Sequence, residues 1–244
     1  MDLKKTKIEF TGRKEICENT YSFTFIPESY DYDFNPGQYA HFTIDEPKYN
    51  DDSGNSRPLS IASSPHHKNL ILVAARDNGS VFMQNLLSLE AGAEVFISEP
   101  EGDITLHNDE TIENVFIAGG IGITPVRSIV EYATESSLRN KITLFYLNRT
   151  RKQTAFLQDL QNWSDMNDNF RFIQFFDNAE NETSGSNNEI ESGRIDADRL
   201  KKYLDGLKDK VYNIIGPPEM VNSVKEILIK LNIPEENIKS EKFS

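Results

Sequence analysis

Near residue 110 the chain changes rhythm, and the two rhythms demand two different sheets. Before that point short β-rich runs, KIEF, YSFTFI, QYAHFTI, LSIAS, LILVAA and AEVFIS, are cut by Pro, Gly, Asn and Asp, which predicts an antiparallel barrel or sandwich. Only VFMQNLLSL at 81–89 carries apolar residues at helical spacing there, and Ala91-Gly92 closes it. Afterwards NVFIAGG, TPVRSIVEYATES, KITLFYLN, KQTAFLQDLQNW, FRFIQFF, DADRLKKYLDGL, VYNIIGPP and EMVNSVKEILIKL alternate, and IKSEKFS ends the chain. Nearly continuous apolar strands between amphipathic helices predict a doubly wound parallel α/β sheet covered on both faces. The chain therefore divides, on this reading, into domains at 1–108 and 109–244. The polar stretches 45–56 and 177–192 read as exposed loops.

Composition removes several classes of function. With 37% hydrophobic and 27% charged residues the chain can build packed cores. No apolar run reaches the ~20 residues of a membrane span, and MDLKKTKIEF has no apolar segment behind its charges to make a signal peptide, so a soluble cytoplasmic protein is expected. A net charge of −13 opposes association with nucleic acid or anionic membrane. A single cysteine, Cys17, excludes an internal disulfide and a four-cysteine iron–sulfur or zinc framework within these residues. Any redox chemistry must then come from an organic cofactor.

Three strand ends in the second half could carry that chemistry. Gly119-Gly120-Ile121-Gly122-Ile123-Thr124-Pro125 joins a buried strand to a helix. Glycines allow close backbone approach, Thr124 could cap the helix, and Pro125 suits its first turn, so free amides could face a dinucleotide pyrophosphate. The bland alternative is a tight strand-to-helix connection. Gly216-Pro217-Pro218-Glu219-Met220 forms a second such turn at the same end of the sheet. Between them Arg149, Arg151 and Lys152 follow Asn148 and concentrate positive charge, either as solvated charges around a helix start or where an adenosine ribose should lie. A guanidinium there could grip a 2'-phosphate, which favours NADPH over NADH.

In the first half Arg57-Pro58-Leu59-Ser60 could bind an anionic cofactor or could be an edge strand with a surface ion pair. His66 and His67 read as exposed loop residues, with no metal site assigned. Cys17 reads as a small buried residue, and Trp163 as core.

The chain resembles the ferredoxin-NADP reductase superfamily through FNPGQYAHFTI, RPLSIASSP, AARDNGSVFMQNL, EVFISEPEGDITL, VFIAGGIGITPVRSIV, TLFYLNRTRKQTAFLQDL, GRIDADRLKKYL, YNIIGPPEMV and the final EKFS, in this order. The resemblance implies a six-stranded antiparallel β-barrel holding FAD, in preference to FMN, followed by the NAD(P)-binding α/β domain. It places the family's Arg-x-Tyr-Ser flavin motif on Arg57, Pro58, Leu59 and Ser60, with Arg57 on the flavin pyrophosphate and Ser60 facing flavin N5. Leu59 replaces the usual tyrosine. Val73, Ala75, Arg76, Gly79, Ser80 and Val81 would wrap the flavin and its phosphate. Gly119, Gly120, Gly122, Thr124 and Pro125 would take the nicotinamide dinucleotide, whose ring would lie near Gly216, Pro217, Pro218 and Met220. Ile215 stands where many relatives have cysteine. The carboxyl tail implies that Glu241 and Phe243 lie beside the reacting rings. The expected activity is hydride transfer from NAD(P)H to FAD and onward to an unassigned acceptor, a redox protein or a small molecule. A reductase using free flavin as substrate and a flavin-binding electron-transfer subunit are the rival readings.

Overall fold

A computed structural model of the chain describes residues 5–29, 31–177, 179 and 188–243. Six strands, β1 (Thr6–Cys17), β2 (Thr20–Pro27), β3 (Tyr39–Thr43), β4 (Ser56–Ser60), β5 (Ile71–Arg76) and β6 (Glu94–Ile97), form an antiparallel sheet in the order β4-β3-β6-β1-β2-β5. Alternation sends Phe10, Phe25 and Phe42 to one side, where their rings pack at 5.6 Å between successive centroids. Helix α1 (Val81–Ser88) turns Phe82, Met83 and Leu86 into the same core. All six expected strands are present in this one antiparallel sheet. The two edges meet at one isolated bridge, Ile61↔Val73, just past the end of β4.

The second sheet is parallel throughout: β7 (Glu113–Gly119), β8 (Ile142–Asn148), β9 (Phe170–Phe176), β10 (Asn188–Ser192), β11 (Lys210–Gly216) and β12 (Ile238–Lys242), ordered β10-β9-β8-β7-β11-β12. Along β7, Phe116 and Ala118 face α2 (Ile123–Glu135) and α3 (Leu157–Met166), while Val115 and Ile117 face α4 (Ala197–Tyr203) and α5 (Pro218–Lys230). Both faces of the strand are therefore apolar, which is why no alternation shows in its sequence.

Two local expectations are corrected. Residues 188–192 of the presumed loop form the edge strand β10, paired with β9. Its one apolar residue, Ile190, lies between Glu189 and Glu191, and long-range partners hold it: Arg171 on Glu189, and Lys202 and the Tyr203 hydroxyl on Glu191. Of the rest of that stretch, residues 178 and 180–187 lie outside the described residues. The helix expected from Lys152 begins only at Leu157, because Arg151–Gln153 forms a single 3-10 turn and Phe156 adopts φ +57. A left-handed residue cannot sit inside a right-handed helix.

The two sheets share one core. Ala62, Ala74 and Ile104 of the first half pack in the cluster built around Phe116, Ile123 and Val126 of the second. Among the described residues no helix is long and apolar enough to cross a membrane.

Candidate cofactor site between the sheets

From β7 the chain winds outward through β8, β9 and β10, then returns to lay β11 against the other side of β7. Winding reverses between β7 and β11, and a crevice opens at the carboxyl ends of strands at such a switch point. Gly119 and Gly216 end those two strands, so the sheet topology itself brings the two glycine turns together. A Cβ on Gly122 would lie 2.5 Å from the Ile215 carbonyl oxygen, and one on Gly216 would lie 3.0 Å from that of Gly119. A Cβ on Gly119 would meet Met220 Sδ at 2.6 Å. These glycines are required by the packing of one turn on the other. Gly120 differs: its φ is +54, and a Cβ there would meet only Arg76 Nη2, at 3.8 Å. Its open side faces the end of β5, the predicted flavin strand.

Thr124 does not cap α2. Gly122 holds the cap position without a side chain, and the buried Thr124 hydroxyl donates to Ile121 O at 3.0 Å. Pro125 lies in the first turn as expected. Tyr146, which the sequence reading passed over, reaches from β8 to donate its hydroxyl to Gly120 O at 3.0 Å. Burial raises its pKa, so the phenol stays protonated and fixes the turn. Asn148 ends the same strand with its Nδ2 buried, and exposed Arg149 follows it. Arg151 starts the 3-10 turn, which docks on the first sheet through Glu18 N, a donor to Lys152 O at 3.1 Å.

In the first half, β4 and α1 converge. Arg57 donates through Nη1 to the carbonyls of Ser53 (2.9 Å), Gly54 (3.2 Å) and Ser56 (2.7 Å), and its guanidinium carbon lies 5.5 Å from the centre of the Phe82 ring. The 45–56 loop thus folds back to seat this arginine against the first turn of α1. Ser80 caps that helix, accepting from Met83 N at 3.3 Å, while Gly79 makes the preceding turn at φ +71. Amides of a first helical turn and a fixed guanidinium on one side of it suit a phosphate. Leu59 is half-buried and Ser60 buried, with Ser60 opposite Tyr39 in the β3–β4 ladder and Pro58 opposite His41. Val73 is buried, Ala75 half-buried and Arg76 exposed along β5.

The chain end joins this region. Phe243 N donates to Gly216 O at 2.9 Å, and Glu241 pairs with Ile215 across β12 and β11. Burial, aided by the Asp103 charge, raises the Glu241 pKa. A carboxyl raised in the folded state contributes stability below its ordinary range, and that contribution is lost as pH rises through the folded value. Glu241→Gln is therefore expected to match the parent Tm below pH ~4 and to exceed it at pH 8. Scanning calorimetry at both values checks this, and an equal Tm at pH 8 would show that the carboxylate carries no burial penalty.

A hidden clamp also fixes how the halves meet. Arg127, 8% exposed on α2, donates Nη1 to Ala62 O (2.7 Å) and Glu131 Oε2 (3.0 Å), and its other nitrogens to Asp159 Oδ2 (3.0 and 2.8 Å). Ser128 Oγ donates to Ser63 O at 2.7 Å. Helix α2, which begins at the glycine turn, is thereby bolted to the chain just past Ser60. A charged residue inside an apolar helix stripe was the available sequence signal. A separate cavity of about 360 Å³, lined by Pro36, Leu106, Tyr132 and Asn140 among others, shares no residue with the predicted cofactor positions.

A family model described as the oxidoreductase NAD-binding domain matches residues 116–226. Terephthalate 1,2-dioxygenase, reductase component 1, of Comamonas sp is 26% identical over 212 residues, covering 86% of this chain and 60% of that protein. The chain thus spans less than two thirds of that relative's length, and the same holds for reductase component 2, at 60%. The NAD(P)H-flavin reductase of Aliivibrio fischeri is 27% identical over 215 residues, covering 85% of each. Among solved structures, the flavohem-like FAD/NAD binding domain of nitric oxide dioxygenase from Vibrio cholerae O1 biovar El Tor superposes with a TM-score of 0.77 at 18% identity, covering 98% of each chain. Ferredoxin-NADP+ reductase from Plasmodium falciparum gives a TM-score of 0.72 at 17% identity, covering 97% of this chain and 95% of that one. At these identities the structural likenesses establish the fold.

Proposed function

We infer, from the match to the oxidoreductase NAD-binding domain, the shared fold and the resemblance to the ferredoxin-NADP reductase superfamily, that this chain is an FAD-containing NAD(P)H oxidoreductase passing electrons to a separate acceptor. The observation that carries the reading is the approach of Arg76, at the end of the flavin strand, to Gly120, the one glycine of the dinucleotide turn whose open side is not filled by packing. Residues 1 to about 108 hold the flavin and 109–244 the nicotinamide nucleotide, the division falling in the connection between β6 and β7.

Arg57 and the amides at Ser80 and Val81 would bind the flavin phosphates, while Leu59, Ser60, Val73 and Ala75 would line the ring. Gly119, Gly120 and Gly122 would receive the dinucleotide pyrophosphate, Asn148, Arg149 and Arg151 its adenosine end, and Gly216, Pro217, Pro218 and Met220 its nicotinamide. FAD, when bound, supplies a two-electron acceptor that can release electrons singly or together. The protein's share is positioning: Tyr146 fixes the glycine turn, Arg127 fixes the angle between the halves, and Glu241 and Phe243 border the reacting edge.

The Comamonas relative, a reductase component of a dioxygenase, supports an oxygenase-type redox partner as the acceptor. The Aliivibrio relative, matched over 85% of both chains, supports a second reading in which flavin is a released substrate, and Leu59 in place of an aromatic ring agrees with looser holding. Gel filtration separates them. Protein that stays yellow carries bound FAD, whereas colourless protein that oxidises NAD(P)H only with added flavin is a flavin reductase.

For the donor, Arg149→Ala is expected to raise KM for NADPH ~10- to 100-fold and that for NADH by less than about threefold, the loss of one charge-assisted contact to a 2'-phosphate. Steady-state kinetics with both donors reads this. Equal changes would take the 2'-phosphate away from Arg149.

A further inference from the structure

We propose that His67, Glu131 and Glu135 form a binding site for a divalent transition-metal cation of the zinc class, stapling the flavin half to the nucleotide half. One imidazole nitrogen and two carboxylate oxygens lie within 4.8 Å of one another, drawn from the loop between β4 and β5 and from one face of α2. His67 Nε2 stands 2.9 Å from Glu135 Oε1 and 4.0 Å from Glu131 Oε1. Four-coordinate zinc, with bonds of ~2.0–2.1 Å, sets its ligand atoms ~3.4 Å apart, so the two histidine–carboxylate separations lie on either side of what the ion requires, and the carboxylates, within 4.8 Å of each other, close on the ion as it binds.

The carboxylates are held by a second layer of contacts. Glu131 Oε2 accepts from Ser64 N at 2.6 Å and Arg127 Nη1 at 3.0 Å, which leaves Oε1 as the atom on the histidine side. Glu135 Oε2 is 3.3 Å from His66 Nδ1. Outer contacts of this kind fix ligand orientation in metal sites. Side-chain exposures of 40% for His67, 12% for Glu131 and 33% for Glu135 leave an approach from solvent, where water or His66 can complete the shell. Mixed nitrogen and oxygen donors select zinc-class ions over Mg²⁺ or Ca²⁺, which require six or more oxygens.

The histidine pair gave no such signal in the sequence because its carboxylates come more than sixty residues later. The proposal does not rest on the flavin reading.

The test is a titration of tag-free, chelator-treated whole chain with ZnCl₂ against a chromophoric zinc chelator. One saturable site per chain is expected, at micromolar affinity or tighter, with a rise in Tm and no response to Mg²⁺. His67→Ala and Glu135→Gln should each weaken binding at least tenfold, and Cys17→Ser should leave it unchanged. Co²⁺ added to the unaltered chain should give the visible absorption of a four- or five-coordinate nitrogen/oxygen site without a thiolate charge-transfer band, a readout independent of whether the variants fold. No saturable site, a site that survives His67→Ala, or a cobalt–thiolate band would overturn the proposal and leave a plain histidine–glutamate ion pair.

Discussion

Arg57→Ala is expected to yield protein largely stripped of flavin, with flavin binding weakened about 100-fold. That factor corresponds to ~3 kcal/mol for a charge-assisted contact to phosphate. The size follows from preorganisation. Arg57 is already held through Nη1 by three backbone carbonyls and stacked against Phe82, so its remaining donors meet an anion with little further loss of side-chain freedom. Ser53 and Gly54 are exposed, so water replaces the lost contacts and the flavin-free fold should change Tm little. Arg57→Lys should recover part of the affinity, since a point charge cannot reproduce the planar fork. The flavin-to-protein absorbance ratio after gel filtration, with a fluorescence titration of the stripped protein, reads both effects. An unchanged ratio in Arg57→Ala would remove this residue from the pyrophosphate.

The largest expected loss of stability comes from Arg127→Leu. The guanidinium is buried between Phe156 and Trp163, 4.9 and 5.0 Å from their ring centres, and joins Ala62, Glu131 and Asp159. Its removal leaves Glu131, with 12% of its side chain exposed, without its principal counter-charge. Breaking one partner of a buried pair costs ~3–5 kcal/mol. Asp159 is 40% exposed and rehydrates, so the lower end applies, a fall in Tm of roughly 6–12 °C for a chain of this size. Reduction of bound flavin by NAD(P)H should slow as well, because the clamp sets the angle between the halves, and Arg127→Lys should restore part of both. A Tm within a degree of the parent would mean that the apolar core alone holds the halves together.

What could be read beforehand follows from where each signal resides. The six antiparallel strands, the parallel sheet and both glycine turns announce themselves locally, through periodicity and through residues with restricted or unusual backbone preferences. The edge strand β10 does not, since Ile190 is its only apolar residue and its partners come from β9 and α4. Phe156 begins α3 in a left-handed conformation that no sequence pattern near it requires. The roles of Gly119 and Gly122 are legible as close approach, but what they approach is the turn at Ile215 to Met220. Tyr146, Arg127 and the His67–Glu135 pair act only after residues far apart in the chain have met, so Tyr146 and the pair look ordinary in sequence, and Arg127 shows only as a charge within an apolar helix stripe.

The central claim is that a flavin on β4 and β5 and a nicotinamide at the β7–β11 switch point share one crevice. Anaerobic rapid mixing of the purified protein with NADPH, and separately with NADH, measures this directly by the bleaching of flavin absorbance, after the released flavin has been identified by chromatography. The account predicts FAD as the flavin, bleaching within a single turnover, and faster reduction by NADPH. Protein that retains FAD yet is not bleached by either donor would contradict it.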